Sequence, residues 1–167
     1  MNPFVPEFDG SLELAQVPND FVARIHKRVG EGFLVRGHRS RRTLYSIRSE
    51  TSDEITLTAG NLLTADNVGL NNIRVSRAGP TTLRYHVSFW RWTWHAVAHG
   101  ALLGAIFLIC LAAFPEMRRE IAAYSFGPPM FAGLLVFFSL LWPWILTALH
   151  RSAAEKTLLR ILREVVA

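Results

Sequence analysis

Two apolar stretches near the middle of the chain decide its fold: AVAHGALLGAIFLICLAAF, residues 96–114, and MFAGLLVFFSLLWPWILTAL, residues 130–149. Neither contains Asp, Glu, Lys or Arg. At about 1.5 Å per helical residue, each stretch covers most of the roughly 30 Å hydrocarbon core of a bilayer. A charged segment, residues 115–120, separates them. The pattern predicts a transmembrane helical hairpin over residues 93–149, with spans near 94–114 and 128–149.

The charge on either side of the hairpin indicates its orientation. Residues 1–95 carry 12 Lys+Arg and 9 Asp+Glu, residues 150–167 carry 4 and 2, and the turn carries 2 of each. Cytoplasmic segments of membrane proteins hold the excess of basic residues. The first ten residues lack the basic and apolar regions of a signal peptide. We expect an integral protein of a bacterial-type inner (cytoplasmic) membrane, with both termini cytoplasmic.

The residues before the hairpin indicate a small α+β domain. We predict an extended arm over residues 1–10 and a cytoplasmic domain over residues 11–92, which opens with a strand at Ser11–Val17 and a short amphipathic helix. Phe21, Ile25 and Val29 share one face of that helix. An antiparallel meander follows, and its predicted strands are Phe33–Val35, Thr43–Arg48, Glu54–Thr58, 73–76 and Leu83–Phe89.

Residues 150–167 predict a separate amphipathic helix after the membrane. Ser152 and Glu155 have the spacing of a capping box at a helix start. Leu158, Ile161, Leu162 and Val165 then form an apolar stripe. We expect this stripe to pack on the apolar face of the sheet.

Three segments of the soluble part resemble the helix-grip superfamily, the START-like, polyketide-cyclase-like proteins also called SRPBCC domains. They are ELAQVPNDFVARIHKRV at 13–29, RAGPTTLRYHVSF at 77–89 and AAEKTLLRILREVV at 153–166. The resemblance implies a closing helix across a curved sheet and an apolar cavity beneath it, with the hairpin inserted between the last strand and that helix. It implies no catalytic residues, because the superfamily has no shared catalytic motif.

Aromatic and small residues in the hairpin are candidate contact sites. Indole rings with nearby arginine are typical of the headgroup layer, which predicts a membrane interface at Trp90, Arg91, Trp92, Trp94, Trp142 and Trp144. Ala96, Gly100 and Gly104 recur every fourth residue, a spacing that lets helix backbones approach closely. This ridge could pack on the second span or on a partner, although glycine is also simply frequent in membrane helices.

Three histidines are candidate ligands. His95 and His99 are one helical turn apart, and a hairpin brings His150 to the same membrane face. Neutral imidazole is a common ligand for metals and haem, but interfacial histidines more often bond to headgroups or backbone. We therefore expect no metal and no cofactor. A haem or chlorophyll-type pigment held by His99, the deepest of the three, is the alternative.

A basic segment, which contains Arg36, Arg39, Arg41 and Arg42, could contact anionic headgroups or a protein partner, or could be a solvated loop. No aromatic residues are interleaved with it, which argues against nucleic acid. The sequence also shows no nucleophile–base pair and no phosphate-binding loop.

We predict a non-enzymatic, membrane-anchored accessory subunit that stabilises a larger membrane complex, for example an energy-transducing, respiratory or photosynthetic assembly. Its partners would be other membrane-protein subunits. The alternatives are a membrane-tethered module for lipids or other hydrophobic ligands, and a homo-oligomeric transport or gating assembly.

Overall fold

A five-stranded antiparallel sheet and a long helical hairpin make up the chain in a computed structural model that describes residues 5–37, 44–61 and 70–166. The strands within these ranges are β1 (Glu7–Glu13), β2 (Tyr45–Glu50), β3 (Glu54–Ala59), β4 (Asn72–Arg77) and β5 (Thr82–Ser88). The four helices in the same ranges are α1 (Phe21–Gly32), α2 (Trp90–Ala113), α3 (Pro115–Ala123) and α4 (Gly127–Val166). The predicted α+β fold class is confirmed.

The sheet has the strand order β1-β5-β4-β3-β2. Strands β2 to β5 form a meander, and β1 adds to its far side by pairing with β5, from Glu7 opposite Ser88 to Glu13 opposite Thr82. Buried and exposed residues alternate along the strands, as the two-residue period of a strand requires. One face is therefore apolar and the other is polar.

Helices from both ends of the sequence cover the apolar face. Phe21, Ile25 and Val29 of α1 are buried in the same cluster as the inward-facing residues of the sheet. The last part of α4 contributes the buried residues Ala154, Leu158, Ile161, Leu162 and Val166, while Val165 is partly buried. One core thus joins residues that lie on opposite sides of the hairpin in the sequence.

Two predicted strands differ most from the observed ones, while the strand predicted at Thr43–Arg48 is found at Tyr45–Glu50, with Thr43 outside the described residues. The first strand is Glu7–Glu13, so it begins inside the predicted arm and ends before most of Ser11–Val17. Pairing with β5 fixes this register, because it turns Phe8 and Leu12 into the core. Phe33–Val35 is not a strand: it continues from the end of α1, and Phe33 and Leu34 are buried there without strand pairing.

The hairpin helices extend further into the domain than predicted. Helix α2 begins at Trp90, and only Phe89 separates it from the end of β5. Helix α4 continues through the predicted boundary at Leu149 to Val166, so Ser152 lies inside a helix and does not cap one. No glycine or proline occurs between Ile145 and Val166, and the Ala, Leu, Glu, Lys and Arg of this segment favour uninterrupted helix.

Two helices are long and apolar enough to cross a membrane. The most apolar windows of α2 and α4 have a mean hydropathy of 2.2 and 2.0, and only 11% of each window is buried within the protein. A core helix of a soluble protein would be mostly buried. Between these helices, the short helix α3 carries the charges of the turn and has no buried residue.

Candidate functional site: the junction between sheet and hairpin

The start of α2 is held against the sheet by side-chain contacts. The indole Nε1–H of Trp90 donates to Glu7 at 2.9 Å, and a guanidinium N–H of Arg91 donates to the carbonyl oxygen of Ala59 at 3.2 Å. The backbone N–H of Trp92 donates to the side-chain oxygen of Asn71 at 3.2 Å. These bonds reach β1, the end of β3 and the residue before β4. The helix is therefore attached to the sheet at several points and is not a free anchor.

The two spans meet where α4 leaves the predicted membrane region. The ring of His150 stacks on Trp92 with centroids 4.2 Å apart and planes 10° apart, and it lies 6.3 Å from the ring of Phe89. Arg151 lies over the ring of Phe8, 5.8 Å from its centroid. Contacts between aromatic rings contribute about 0.5–1.5 kcal/mol beyond their buried area. His150 is thus part of the junction between α2, α4 and the sheet.

The predicted interface tryptophans divide into two groups. Trp92 and Trp142 are partly buried, whereas Trp90, Trp94 and Trp144 are exposed by 41%, 65% and 38%. The exposed group surrounds a narrow groove between α2 and α4. The sequence does not reveal this division, because it depends on how the two helices face each other.

The glycine ridge packs inside the hairpin. Gly100 and Gly104 are buried against α4, and Ala96 is partly buried. A Cβ atom added at Gly100 would lie 2.7 Å from Cγ of Pro143 and 3.0 Å from the carbonyl oxygen of Phe138, and one added at Gly104 would overlap the hydroxyl of Ser139. Of the two packing partners left open by the sequence, the second span is the one in contact.

Helix α4 contains a π-helical turn, Phe137–Leu141, opposite this ridge. Pro143 has no N–H to donate, and its ring conflicts with the carbonyl of Ser139 four residues earlier in a regular α-helix. Just before Pro143, the backbone N–H of Trp142 donates to the carbonyl oxygen of Phe137, five residues earlier, so the helix is widened at this point. Pro143 in the sequence predicts a kink, but not that a π turn would accommodate it.

The three candidate histidines do not form one ligand set. His150 lies in the aromatic junction, while His99 is exposed on the outer surface of α2. Nδ1 of His99 lies 2.7 Å from the carbonyl oxygen of His95, so Nδ1 carries the proton and donates it. Within the described ranges, no group of three or more His, Cys, Asp or Glu side chains is arranged to hold a metal ion.

Of the four arginines predicted to contact headgroups or a partner, only Arg36 is among the described residues. It lies at the end of the domain that is far from the hairpin. Its Nε donates to Glu31 at 2.9 Å, and it lines a surface depression with Arg28 and Glu164. From Leu149 to Glu164, the axis of α4 rises about 22 Å at 1.5 Å per residue. This distance is about twice the Debye length of 8–10 Å at physiological ionic strength, so charges at the two ends of this segment are largely screened from each other. Arg39, Arg41 and Arg42 lie outside the described residues.

Arg28 links α1 to the end of α4. Only 7% of its side chain is exposed. Its guanidinium donates to Glu164 at 3.1 Å and to the carbonyl oxygen of Phe33 at 3.3 Å. Nearer the hairpin along α4, the hydroxyl of Tyr85 donates to Glu155 at 3.0 Å. Burial, with a smaller effect from the Glu155 carboxylate, raises the pKa of Tyr85 to about 12. Both pairs join the last part of α4 to the domain that precedes the hairpin.

Two histidine–carboxylate pairs on the domain surface were missed in the sequence. His86 contacts Asp9 at 2.7 Å and His26 contacts Glu50 at 2.9 Å. The first pair follows from the register of β1 on β5, and the second from the packing of α1 near β2. All four side chains are substantially exposed, and exposed pairs contribute little to stability. They are surface contacts of the sheet and of α1.

No known family model matches the chain, and neither the curated proteins nor the solved structures contain a match.

Proposed function

We propose that the protein is a non-enzymatic accessory subunit of a larger membrane complex, anchored in a bacterial-type inner membrane with both termini in the cytoplasm. In this proposal the α+β domain has a helix-grip arrangement, with the end of α4 as its closing helix. The hairpin inserts in the bilayer, and the domain is held at a fixed position above it. Other membrane subunits are the partners, for example those of an energy-transducing assembly.

The observation that carries the proposal is His99. Its Nδ1–H is bonded to the backbone of its own helix, and within the described residues Nε2 has no hydrogen-bond partner. The side chain is exposed on α2, about one and a half turns beyond Trp94. Polar groups at membrane depth are costly without a partner and usually mark contacts or functional sites. A hydrogen-bond donor on a neighbouring transmembrane helix would satisfy Nε2.

The rigid connection between hairpin and domain supports the same proposal. A single residue separates α2 from β5, and α4 continues from the hairpin into the core. An anchor for a mobile domain needs a flexible linker, and neither connection contains one. A rigid connection instead fixes the surfaces of the domain relative to the hairpin, which suits a subunit that contacts a complex both in the membrane and above it.

The rival functions have less support. A hydrophobic ligand inside the domain would need space between the sheet and its helices, but large side chains fill that region, among them Phe8, Phe21, Phe33, Phe89 and Ile161. A homo-oligomeric assembly could use the glycine ridge for contacts between copies, but Gly100 and Gly104 already pack on α4. These two observations favour the accessory subunit over both rivals.

Photo-crosslinking in native membranes tests the proposal. A photoreactive residue at Leu102 or Leu103, both exposed and close to His99 on α2, should crosslink to a membrane protein of defined mass. A probe at Met130, which is similarly exposed but lies near the start of α4 and away from His99, is the control. His99→Leu should reduce the crosslink about three- to tenfold, the effect of losing one hydrogen bond in a membrane protein.

Native mass spectrometry of the extracted complex should give the same partner at fixed stoichiometry. The proposal is wrong if the probes crosslink only to lipid, or only to a second copy of this chain. It is also wrong if the purified protein shows a visible absorption band that disappears in His99→Ala, because His99 would then hold a pigment or haem.

A further inference from the structure

The groove between the two spans is a site that the sequence analysis did not identify. It has a volume of about 140 Å³ and lies between α2 and α4, next to the junction with the sheet. The indoles of Trp90, Trp94 and Trp144 stand around it, while the smaller side chains of Thr93, Val97 and Pro143 form much of its lining. Small residues between three indoles leave a space that the protein itself does not fill.

The geometry points to an acyl chain of a phospholipid from the domain-side leaflet as the occupant of this groove. The inference uses the membrane insertion of the proposed function but does not depend on any protein partner.

The chemistry of the lining selects an apolar occupant. The hydroxyl of Thr93 lies 3.5 Å from the carbonyl oxygen of Phe89, its own helix backbone. The hydroxyl of Ser139 has no partner within the described residues, but it is almost inaccessible because it lies against Gly104. A water molecule needs two to four polar partners, and these two hydroxyls, one bonded to its own helix and the other inaccessible, do not supply them. A hydrocarbon chain needs none and regains the dispersion contacts that an empty groove would lose.

The size and position of the groove select a lipid over a protein helix. One turn of a helix, about 5.4 Å long and 10–12 Å across, occupies roughly 400–600 Å³, so a helix cannot enter a groove of about 140 Å³, whereas a segment of an acyl chain can. The groove is also bordered by exposed side chains, including Trp94 at 65% and Leu140 at 61% exposure, and so opens towards the surrounding bilayer. A single acyl chain can enter from there.

The indole N–H groups favour a phospholipid over a purely hydrocarbon molecule. The N–H of Trp90 is used by Glu7, whereas those of Trp94 and Trp144 have no partner within the described residues. Tryptophan at a membrane interface places its ring in the apolar layer and its N–H at headgroup level. The ester and phosphate oxygens of a phospholipid whose chain lies in the groove are acceptors at that level.

Lipid retention by the purified protein tests the inference. The full chain is reconstituted in vesicles of phosphatidylethanolamine and phosphatidylglycerol, extracted in mild detergent and examined by native mass spectrometry. We expect one phospholipid to stay bound. Val97→Trp should abolish its retention by filling the groove, whereas Ile109→Trp, at a site 64% exposed and outside the groove, should leave it unchanged.

Two further variants keep the test decisive if Val97→Trp disturbs folding. Trp94→Phe and Trp144→Phe preserve most of the apolar wall and remove one N–H each, so each should weaken retention about three- to tenfold. The inference is overturned if the parent protein retains no lipid. It is equally overturned if none of the three groove variants differs from Ile109→Trp. Failure to insert into the vesicles at all, seen by flotation, would instead contradict the proposed function.

Discussion

At the scale of single residues, glycines determine how closely the two spans approach. Gly100 faces Pro143 and two backbone carbonyls of α4, so an added side chain cannot be accommodated by a rotamer change. Gly133, also in the hairpin, has no atom within 4 Å of its added Cβ. Both positions are glycine, but only Gly100 is packed against the other helix. Comparing them therefore distinguishes a glycine needed for packing from one that is present by composition alone.

Gly100→Leu should therefore lower the thermal stability of the hairpin, and Gly133→Leu should not. Overpacking typically costs about 1–3 kcal/mol. Thermal unfolding in detergent, followed by circular dichroism, compares the two variants with the parent. Equal midpoints for all three would show that the glycine spacing is only composition.

Tyr85 reports the contact between β5 and α4 through its ionisation. Burial first, and the Glu155 carboxylate second, raise its pKa to about 12 from the usual value of 10. Because the folded state holds the proton more tightly, this contribution to stability is complete below about pH 10. It is lost as the pH rises through 12.

Glu155→Gln should lower the pKa of Tyr85, which should nevertheless stay above 10 because burial remains. Absorbance titration of the phenolate, with Tyr85→Phe to identify the signal, measures this shift. An unchanged Tyr85 pKa in Glu155→Gln would mean that the two side chains are not in contact.

At the scale of elements, the continuity of α4 distinguishes the structure from the sequence prediction. The periodic apolar residues and the Ser152–Glu155 spacing correctly indicate a helix after the second apolar stretch, but they place its start at Ser152. Ser and Glu at this spacing favour a helix start, but the same two residues can also lie inside a longer helix. Here the residues before Ser152 are also helical, so the capping signal is not used.

Ala153→Pro tests this continuity. Proline is tolerated at the first position of a helix that Ser152 would cap, but in a helix interior it costs about 3 kcal/mol or more. We expect the larger cost, because Ala153 lies within α4. Ala153→Gly, which should cost about 1 kcal/mol, is the control for a merely weaker helix. Parent-like stability of Ala153→Pro in chemical denaturation would indicate a break in the helix at this point.

The strands show where sequence patterns succeed and where they do not. Alternation identifies β3 and β5 almost residue by residue, since one face of each is buried. It misplaces the first strand, because the register of β1 is set by β5, which lies near the other end of the domain in the sequence. The groove between the spans has the same origin: which tryptophans flank it depends on the facing of α2 and α4.

At the scale of the whole molecule, the proposed orientation makes a prediction about accessibility. Ser125 lies in the exposed turn between α3 and α4, and Ser49 is exposed on β2. With both termini cytoplasmic, a cysteine at position 125 should react with an impermeant thiol reagent added to intact cells, and one at position 49 should not. Both cysteines are introduced into a protein in which the native Cys110 is replaced by Ser, so that only the new thiol can react. The reverse labelling would invert the orientation.

The central claim concerns the whole molecule: the hairpin interrupts one domain, whose core is completed by the end of α4. Leu158, Ile161 and Leu162 are fully buried among residues that precede the hairpin. Burial of each such side chain contributes about 1.5–3 kcal/mol, and their combined loss is comparable to the whole stability of a small domain.

Limited proteolysis after deletion of residues 152–167 tests that claim most directly. The control is the double variant Ser152→Ala and Lys156→Ala, which changes exposed positions of the same segment. We expect the region from β1 to β5 to be as resistant to protease in the control as in the parent protein. In the deletion variant, the same region should become sensitive. A region from β1 to β5 that stays resistant without the end of α4 would contradict the account, because the domain would then fold without its second half.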